Sequence, residues 1–224
     1  MSTPPKPRHG SKTGGRRRTK INRQDEVARA ASEVFARKGY SAASIQDVAD
    51  KVGVLKGSLY YYIQSKEDLL WRIVDDVHEE SNKILVASMA LEVSPIDRIQ
   101  IFIGRHVEWY LKNVDDVTVF FREWQHLTGE RLQTVKVRRR GYELVIRELI
   151  AAARESGDVS QALDLRYAAR YVLAAVNMVP DWYRPVDGND KAVEIAGAYA
   201  EMTVGMLTGT PRDGRRAAGR HAAA

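Results

Sequence analysis

The side chains best suited to chemistry stand in one short run of the chain that begins at Lys56. Lys56 supplies a positive charge, Ser58 supplies a hydroxyl, and Gly57 leaves a bare backbone that another molecule can approach closely. The phenols of Tyr60 and Tyr61 can bond to phosphate or pack on a thymine methyl group. Residues of these types, side by side, predict contact with DNA.

Two predicted helix starts lie on either side of this run. Ser44 is followed three residues later by Asp47, and Ser65 by Asp68, so each pair can form a capping box. Backbone amides and the helix dipole favour phosphate at a helix N-terminus. Ser44 and Lys66 are therefore further candidates for DNA contact.

The elements that must position these groups carry a steric signature of their own. Ala49, Gly53 and Leu59 are separated by four and six residues. Two short helices that cross near a right angle need a small residue on the first helix, a glycine in the tight turn and an apolar residue on the second helix. The signature predicts a helix-turn-helix over about 44–62. The alternative is a small helical bundle that has no DNA partner.

The run from Val27 to Trp71 resembles the TetR/AcrR family of bacterial regulators. The matching segments are 31–40 (ASEVFARKGY), 45–49 (IQDVA), 53–54 (GV) and 66–70 (KEDLL). The resemblance implies a homodimer with one DNA-binding head per subunit, usually a repressor that a small ligand releases from a palindromic operator. It places Lys66 on the family's phosphate-contacting lysine, and Tyr60 and Tyr61 on positions that commonly touch backbone or base. Leu55 departs from the family, which usually has a small polar residue there.

The net charge of +6 comes from the two ends of the chain. Residues 1–20 hold seven basic residues and no acid, whereas residues 21–68 hold seven of each sign. We expect 1–20 and 210–224 to be disordered, because they lack apolar residues that could offset the entropy lost on ordering. Arg16, Arg17 and Arg18 would then lie in a basic arm that follows the DNA backbone or enters a minor groove.

Apolar residues recur three and four apart almost throughout the rest of the chain, so the predicted fold class is all-α. Helices are predicted near 22–38, 44–51, 55–62, 66–90, 95–112, 115–128, 130–156, 163–180 and 189–208. The first three helices form a DNA-binding domain over 21–66. The other six form a ligand-binding and dimerisation domain over 67–209.

Aromatic residues in the middle helices are candidates for a ligand pocket, because an aromatic lining with a few polar groups suits a small molecule. The aromatic lining favours a hydrophobic ligand, and the family resemblance adds an acyl thioester as a second class. The candidate contacts are Phe102, His106, Trp109, Tyr110, Phe121, Trp124, Tyr142 and Asn177. The alternative is that this cluster is an ordinary filled core.

The last predicted helix carries a stripe of small residues that would let another helix approach closely. The stripe consists of Ala192, Ala196, Gly197, Ala200 and Gly205. The family resemblance implies that the last two helices form a four-helix bundle across a two-fold axis. The alternative is that the alanines pack inside one subunit.

Several other functions find little support in the sequence. The chain has no cysteine, no phosphate-binding glycine loop and no nucleophile elbow, so we expect no enzyme activity and no cofactor. His106, Glu123 and His126 do not form a convincing metal site. Arg138–Arg140 could bind an anionic group such as a coenzyme A phosphate, but we interpret the run as a solvated face, because three adjacent arginines on a helix point in different directions. No signal peptide or membrane span is predicted, which favours the cytoplasm. The rival function is a DNA-coating protein without a ligand response.

Overall fold

The structure, a computed structural model, describes residues 13–184 and 191–209, with side chains from Arg23 onward. The described residues form helices and turns without a strand, which confirms the all-α prediction. The helices are α1 (Thr13–Lys38), α2 (Ile45–Val52), α3 (Lys56–Leu59), α4 (Lys66–Met89), α5 (Pro95–Lys112), α6 (Val114–Glu123), α7 (Gly129–Glu155), α8 (Leu165–Asn177), α9 (Val179–Trp182) and α10 (Ala192–Thr208), with a 3-10 turn over Trp124–His126.

The predicted caps fix the start of the helices near the DNA-binding run. At α2 the Ser44 hydroxyl accepts from the Asp47 amide at 3.2 Å, and the Asp47 carboxylate accepts from the Ser44 amide at 2.8 Å. Ser65 and Asp68 form the same reciprocal pair at the start of α4. Hydrogen bonds from Lys38 and Ser44 lower the pKa of Asp47 to about 2, so its carboxylate is charged at neutral pH. The predicted capping boxes are confirmed.

Several helix boundaries differ from the sequence-based prediction, among them the end of α6, which lies at Glu123 and not near residue 128. Helix α1 begins at Thr13 instead of near residue 22, so 13–20 is helical although it lacks an apolar face. Lysine and arginine are good helix formers, which favours this extension. Residues 60–62, predicted as helix, form a turn. Helix α8 ends at Asn177 and α9 follows, because Pro180 has no N–H to continue the hydrogen-bond ladder.

A continuous apolar core joins the DNA-binding head to the body. In the head, Val34 and Phe35 of α1 lie in the same buried cluster as Val48 and Leu59. The cluster continues along α4 into α5, where Phe102 is also buried. Helix α4 therefore belongs to both predicted domains.

The alanine stripe of α10 packs inside the chain and does not form the predicted contact with a second subunit. Ala192, Ala196 and Ala200 are all buried, and a Cβ added to Gly104 of α5 would lie 3.8 Å from the Ala200 methyl. Small residues on both helices let α5 and α10 approach closely. The prediction that these alanines form the dimer contact was wrong.

Candidate nucleic-acid interface and ligand cavity

The turn between α2 and α3 has the geometry that the steric signature predicts. Ala49 and Leu59 are fully buried, and the backbone of Gly53 is left-handed, with φ of +74°. The amide of Val54 donates to the Ala49 carbonyl at 3.0 Å and closes the turn. The left-handed backbone conformation is free of strain only for glycine. Ala49, Gly53 and Leu59 together therefore fix the angle at which the two helices cross.

The predicted DNA-contacting residues of α3 and the following turn share an exposed surface. Lys56, Gly57 and Ser58 are all exposed. Tyr60 is 50% exposed and Tyr61 is 80% exposed. Leu55, which also precedes this surface, is 80% exposed, and no side chain caps α3 at that position. The sequence marked Leu55 only as a departure from a family pattern.

Ser44 and Lys66, the other predicted phosphate contacts, are held by local bonds. Ser44 is exposed at the start of α2 with its hydroxyl engaged in the capping box. The Lys66 ammonium donates to the carbonyls of Tyr40 (2.8 Å) and Ala43 (2.9 Å), and lies 4.2 Å from the centre of the Tyr40 ring. An ammonium has three N–H donors, so one remains beyond these two bonds. Lys66 thus fixes the loop that precedes α2.

Only the backbone of residues 13–20 of the predicted basic arm lies within the described residues. Arg16, Arg17 and Arg18 lie on the backbone of α1, but their side chains lie outside the described residues. Residues 1–12 and the predicted C-terminal tail, 210–224, also lie outside them.

A cavity of about 440 Å³ opens in the body among α4, α5, α6, α7 and α8. Four of the predicted contacts line it, namely Tyr110, Phe121, Tyr142 and Asn177. The remaining lining residues were not among the predicted contacts; they are His78, Ser81, Phe120, Arg139, Arg140, Glu143, Arg170, Leu173 and Ala174. The volume falls within the usual range for small-molecule sites.

The other four predicted contacts do not line this cavity. Phe102 and His106 are buried behind its wall, and His106 Nδ1 lies 3.1 Å from the Tyr142 hydroxyl. Trp124 packs against Arg139. Trp109 lines a separate groove among α1, α4, α5 and α6. The aromatic cluster is therefore partly cavity wall and partly filled core.

Three buried polar groups in and behind the cavity wall, namely His106, Tyr110 and Tyr142, are neutral at physiological pH. Burial lowers the pKa of His106 to about 3. Burial raises the pKa of the Tyr110 phenol, against a smaller lowering by the neighbouring Ser81 hydroxyl. It also raises the pKa of Tyr142 well above its ordinary value. Of the three, Tyr110 and Tyr142 line the cavity and can offer hydrogen bonds to a ligand but no charge.

The three adjacent arginines, predicted as a solvated face, separate into different environments. Arg138 pairs with Asp75 at 2.5 Å, and its guanidinium lies 5.7 Å from the Trp71 ring. Arg139 is half-buried at the cavity, and Arg140 is an exposed part of the cavity lining. Successive side chains on an α-helix are rotated by about 100°, so three consecutive arginines can lie in three different environments.

Glu123 and His126 connect the body to the head. His126 Nε2 lies 3.3 Å from the Glu123 carboxylate, and the His126 ring stacks on Tyr40 at 5.3 Å. Nearby, Glu67 accepts from the Thr128 amide at 2.9 Å. Across the described part of the chain, no cluster of three or more acidic or histidine side chains could hold a metal ion.

Within the same residues, no helix combines the length and apolar character needed to cross a bilayer.

Two family models match the chain over most of the described residues. The model described as "Bacterial regulatory proteins, tetR family" matches residues 28–73, which hold the helix-turn-helix. The model described as "Tetracyclin repressor-like, C-terminal domain" matches residues 92–207, about half of the chain.

Individual relatives match over nearly their whole length. The HTH-type transcriptional repressor KstR2 of Mycolicibacterium smegmatis is 22% identical over 86% of this chain and 94% of its own. The structure of the ketosteroid transcriptional regulator KstR2 of Mycobacterium tuberculosis has a TM-score of 0.78 at 23% identity, covering 84% of this chain and 96% of that one. The structure of AibR in complex with isovaleryl coenzyme A and operator DNA has a TM-score of 0.70 at 23% identity, covering 83% and 98%.

Proposed function

This chain belongs to the TetR family of bacterial transcriptional regulators, and we propose that it works as a homodimeric repressor that a small ligand releases from a palindromic operator. The observation that carries the proposal is the combination of an exposed helix-turn-helix surface with a lined cavity in one continuous fold. A repressor of bacterial genes would act in the cytoplasm, where the chromosome lies.

The DNA-binding part of the proposal assigns separate roles to the exposed residues. Lys56, Ser58 and Tyr61 would contact base edges, since they lie on or directly after the second helix of the motif, which enters the major groove. Gly57 would let the backbone come close, because nothing lies within 4 Å of a Cβ added there. The free donor of Lys66 would contact phosphate. Exposed Leu55 suits a thymine methyl group better than a phosphate.

The ligand would be an apolar molecule with an acidic part, and an acyl thioester is the class we favour. The cavity combines aromatic and aliphatic walls at Phe120, Phe121 and Leu173 with exposed arginines at Arg140 and Arg170. Coenzyme A thioesters match this combination, since they join an acyl chain to phosphate groups that arginine binds well. The AibR structure was solved with isovaleryl coenzyme A and operator DNA, which supports the same class for this chain.

A dimer would use the outer faces of α8 and α10. Exposed apolar side chains lie there, including Tyr171 of α8 and Met202 of α10. Gly197 and Gly205 are exposed on α10, with open space where a Cβ would be, so a second helix could approach closely. The homodimer is therefore proposed on the side of α10 opposite the alanines that pack inward.

The proposal can be tested by fluorescence anisotropy with labelled DNA from the region upstream of the chain's own gene. We expect saturable binding at about 10⁻⁸ M and at least a thousandfold weaker binding to a scrambled duplex of equal composition. Hexanoyl coenzyme A should release the operator. Lys56→Ala should weaken binding, whereas Lys83→Ala, a change at an exposed lysine of α4 in the body, should leave it intact.

Equal affinity for both duplexes, together with no effect of any thioester, would favour a DNA-coating protein and overturn the repressor proposal. Selective binding that no acyl thioester releases would retain the regulator and reject the proposed ligand class.

A further inference from the structure

Arg139 lies at the cavity without a charged partner. Its neighbour Arg138 is paired with Asp75, and Arg170 on the opposite wall donates to Glu143 at 2.9 Å. Within the residues that the structure describes, Arg139 makes neither a hydrogen bond nor an ion pair, and ring contacts hold its guanidinium. Partial burial of a cation without a paired anion destabilises the folded chain, so the presence of Arg139 at this position calls for an explanation.

Three aromatic rings surround the Arg139 guanidinium. Its central carbon lies 5.0 Å from the centre of the Trp124 ring, 5.7 Å from Phe121 and 5.8 Å from Phe120. Aromatic rings hold a guanidinium through its flat face, while its N–H groups point outward in the plane. The rings therefore orient the group but leave its hydrogen-bonding edge without an acceptor.

Two further polar groups line the same cavity. The Ser81 hydroxyl is buried and makes no hydrogen bond of ordinary geometry to a described residue. The Tyr110 phenol is also buried, and its raised pKa keeps the proton on its oxygen. The Arg139 guanidinium and the neighbouring hydroxyls of Ser81 and Tyr110 therefore line the same cavity and together suit an oxygen-rich, negatively charged group.

We propose, on the basis of the ligand-released function above, that the ligand carries a carboxylate within its apolar part and that Arg139 binds this carboxylate. Arginine matches a carboxylate with two parallel hydrogen bonds, and Ser81 and Tyr110 can donate to the remaining lone pairs. The exposed Arg140 and Arg170 then serve the more strongly hydrated charges at the rim. The carboxylate belongs to a free acid or to the far end of an acyl thioester.

Isothermal titration calorimetry on the full chain without DNA tests this assignment. Adipyl coenzyme A and hexanoyl coenzyme A have acyl chains of equal length and differ in a terminal carboxylate, and adipate and hexanoate are the matching free acids. We expect adipyl coenzyme A to bind about tenfold more tightly than hexanoyl coenzyme A, as for a charge-assisted hydrogen bond. Arg139→Met should remove this preference but keep an apolar stem on the three rings. Arg140→Met should weaken both thioesters by the same factor.

The outcomes separate the carboxylate assignment from the proposed ligand class. Equal binding of both thioesters to the unaltered chain overturns the role of Arg139 and leaves thioester-controlled repression standing. The role of Arg139 is also overturned if Arg139→Met keeps the preference for the adipyl compound. Binding of adipate that depends on Arg139, without binding of thioesters, supports the carboxylate site and rejects the thioester class. Failure of all four compounds to bind overturns both proposals.

Discussion

Replacing Lys66 by methionine removes an ammonium group and keeps a side chain of similar length over Tyr40. The ammonium donates to two carbonyls, at 2.8 and 2.9 Å, and lies 4.2 Å from the Tyr40 ring. A hydrogen bond from a charged donor contributes about 1.5–3 kcal/mol, and a cation–π contact about 0.5–1 kcal/mol. Water reaches this half-buried site and recovers part of the loss. We therefore expect the free energy of unfolding to fall by about 2–3 kcal/mol.

Urea denaturation at fixed protein concentration, followed by tryptophan fluorescence, measures this change. The matched control is Lys56→Met, which removes an exposed lysine of the same head. The control should change stability by less than about 0.5 kcal/mol and still weaken operator binding. If Lys66→Met unfolds at the same urea concentration as Lys56→Met, then Lys66 does not hold the loop before α2, and our account of this contact is wrong.

Three further predictions concern backbone conformation, pH and salt. Gly53→Ala should cost about 1–2 kcal/mol in urea denaturation because φ is +74°, whereas Gly57→Ala, also in open space, should not destabilise the chain. The pKa of His106 is about 3 in the folded chain against an ordinary 6.5, so the unfolded chain takes up the proton and stability is lost as pH falls below 6.5. Between pH 7.5 and 5.5 His106 should contribute about 1.4 kcal/mol to this loss, and His106→Gln should lack that contribution but keep the part that comes from His78, whose pKa burial also lowers; equal pH profiles would contradict it. Replacing Arg16–Arg18 by glutamine should lower the slope of log affinity against log salt by about 0.9 per lost phosphate contact, and an unchanged slope would exclude these arginines from the interface.

The DNA-binding head could be predicted from the sequence because its geometry depends on local steric rules. Ala49, Gly53 and Leu59 allow few arrangements of two short helices, and the capping serines mark where helices begin. The shortness of α3 was not predictable in this way. Three consecutive tyrosines follow Leu59, and they lie in a turn that amide hydrogen bonds from Tyr62 and Ile63 to the Leu59 carbonyl close.

The cavity was predicted only in part, because a cavity depends on how helices rotate against one another. Tyr110 and Trp109 are adjacent in the sequence, yet Tyr110 lines the cavity and Trp109 faces a different groove. Arg139 was missed for the same reason, since three consecutive arginines predict an exposed face. Aromatic content indicates that a cavity is possible, whereas the contacts between helices decide which residues form it.

The first turn of α4 joins the DNA-binding head to the ligand cavity. Lys66 bonds to the loop before α2, Glu67 accepts from Thr128 at the start of α7, and Asp68 pairs with Arg131 of α7 at 2.7 Å. Burial tends to raise the pKa of Asp68, but hydrogen bonds from Arg131 and Ser65 hold it below its ordinary value, so this pair is ionic. Further along, α7 supplies part of the cavity wall. A helix moves largely as a rigid body, so a ligand that shifts α7 at the cavity also shifts the residues bonded to this turn. In the proposed repressor, such a ligand would change DNA binding through the orientation of the helix-turn-helix.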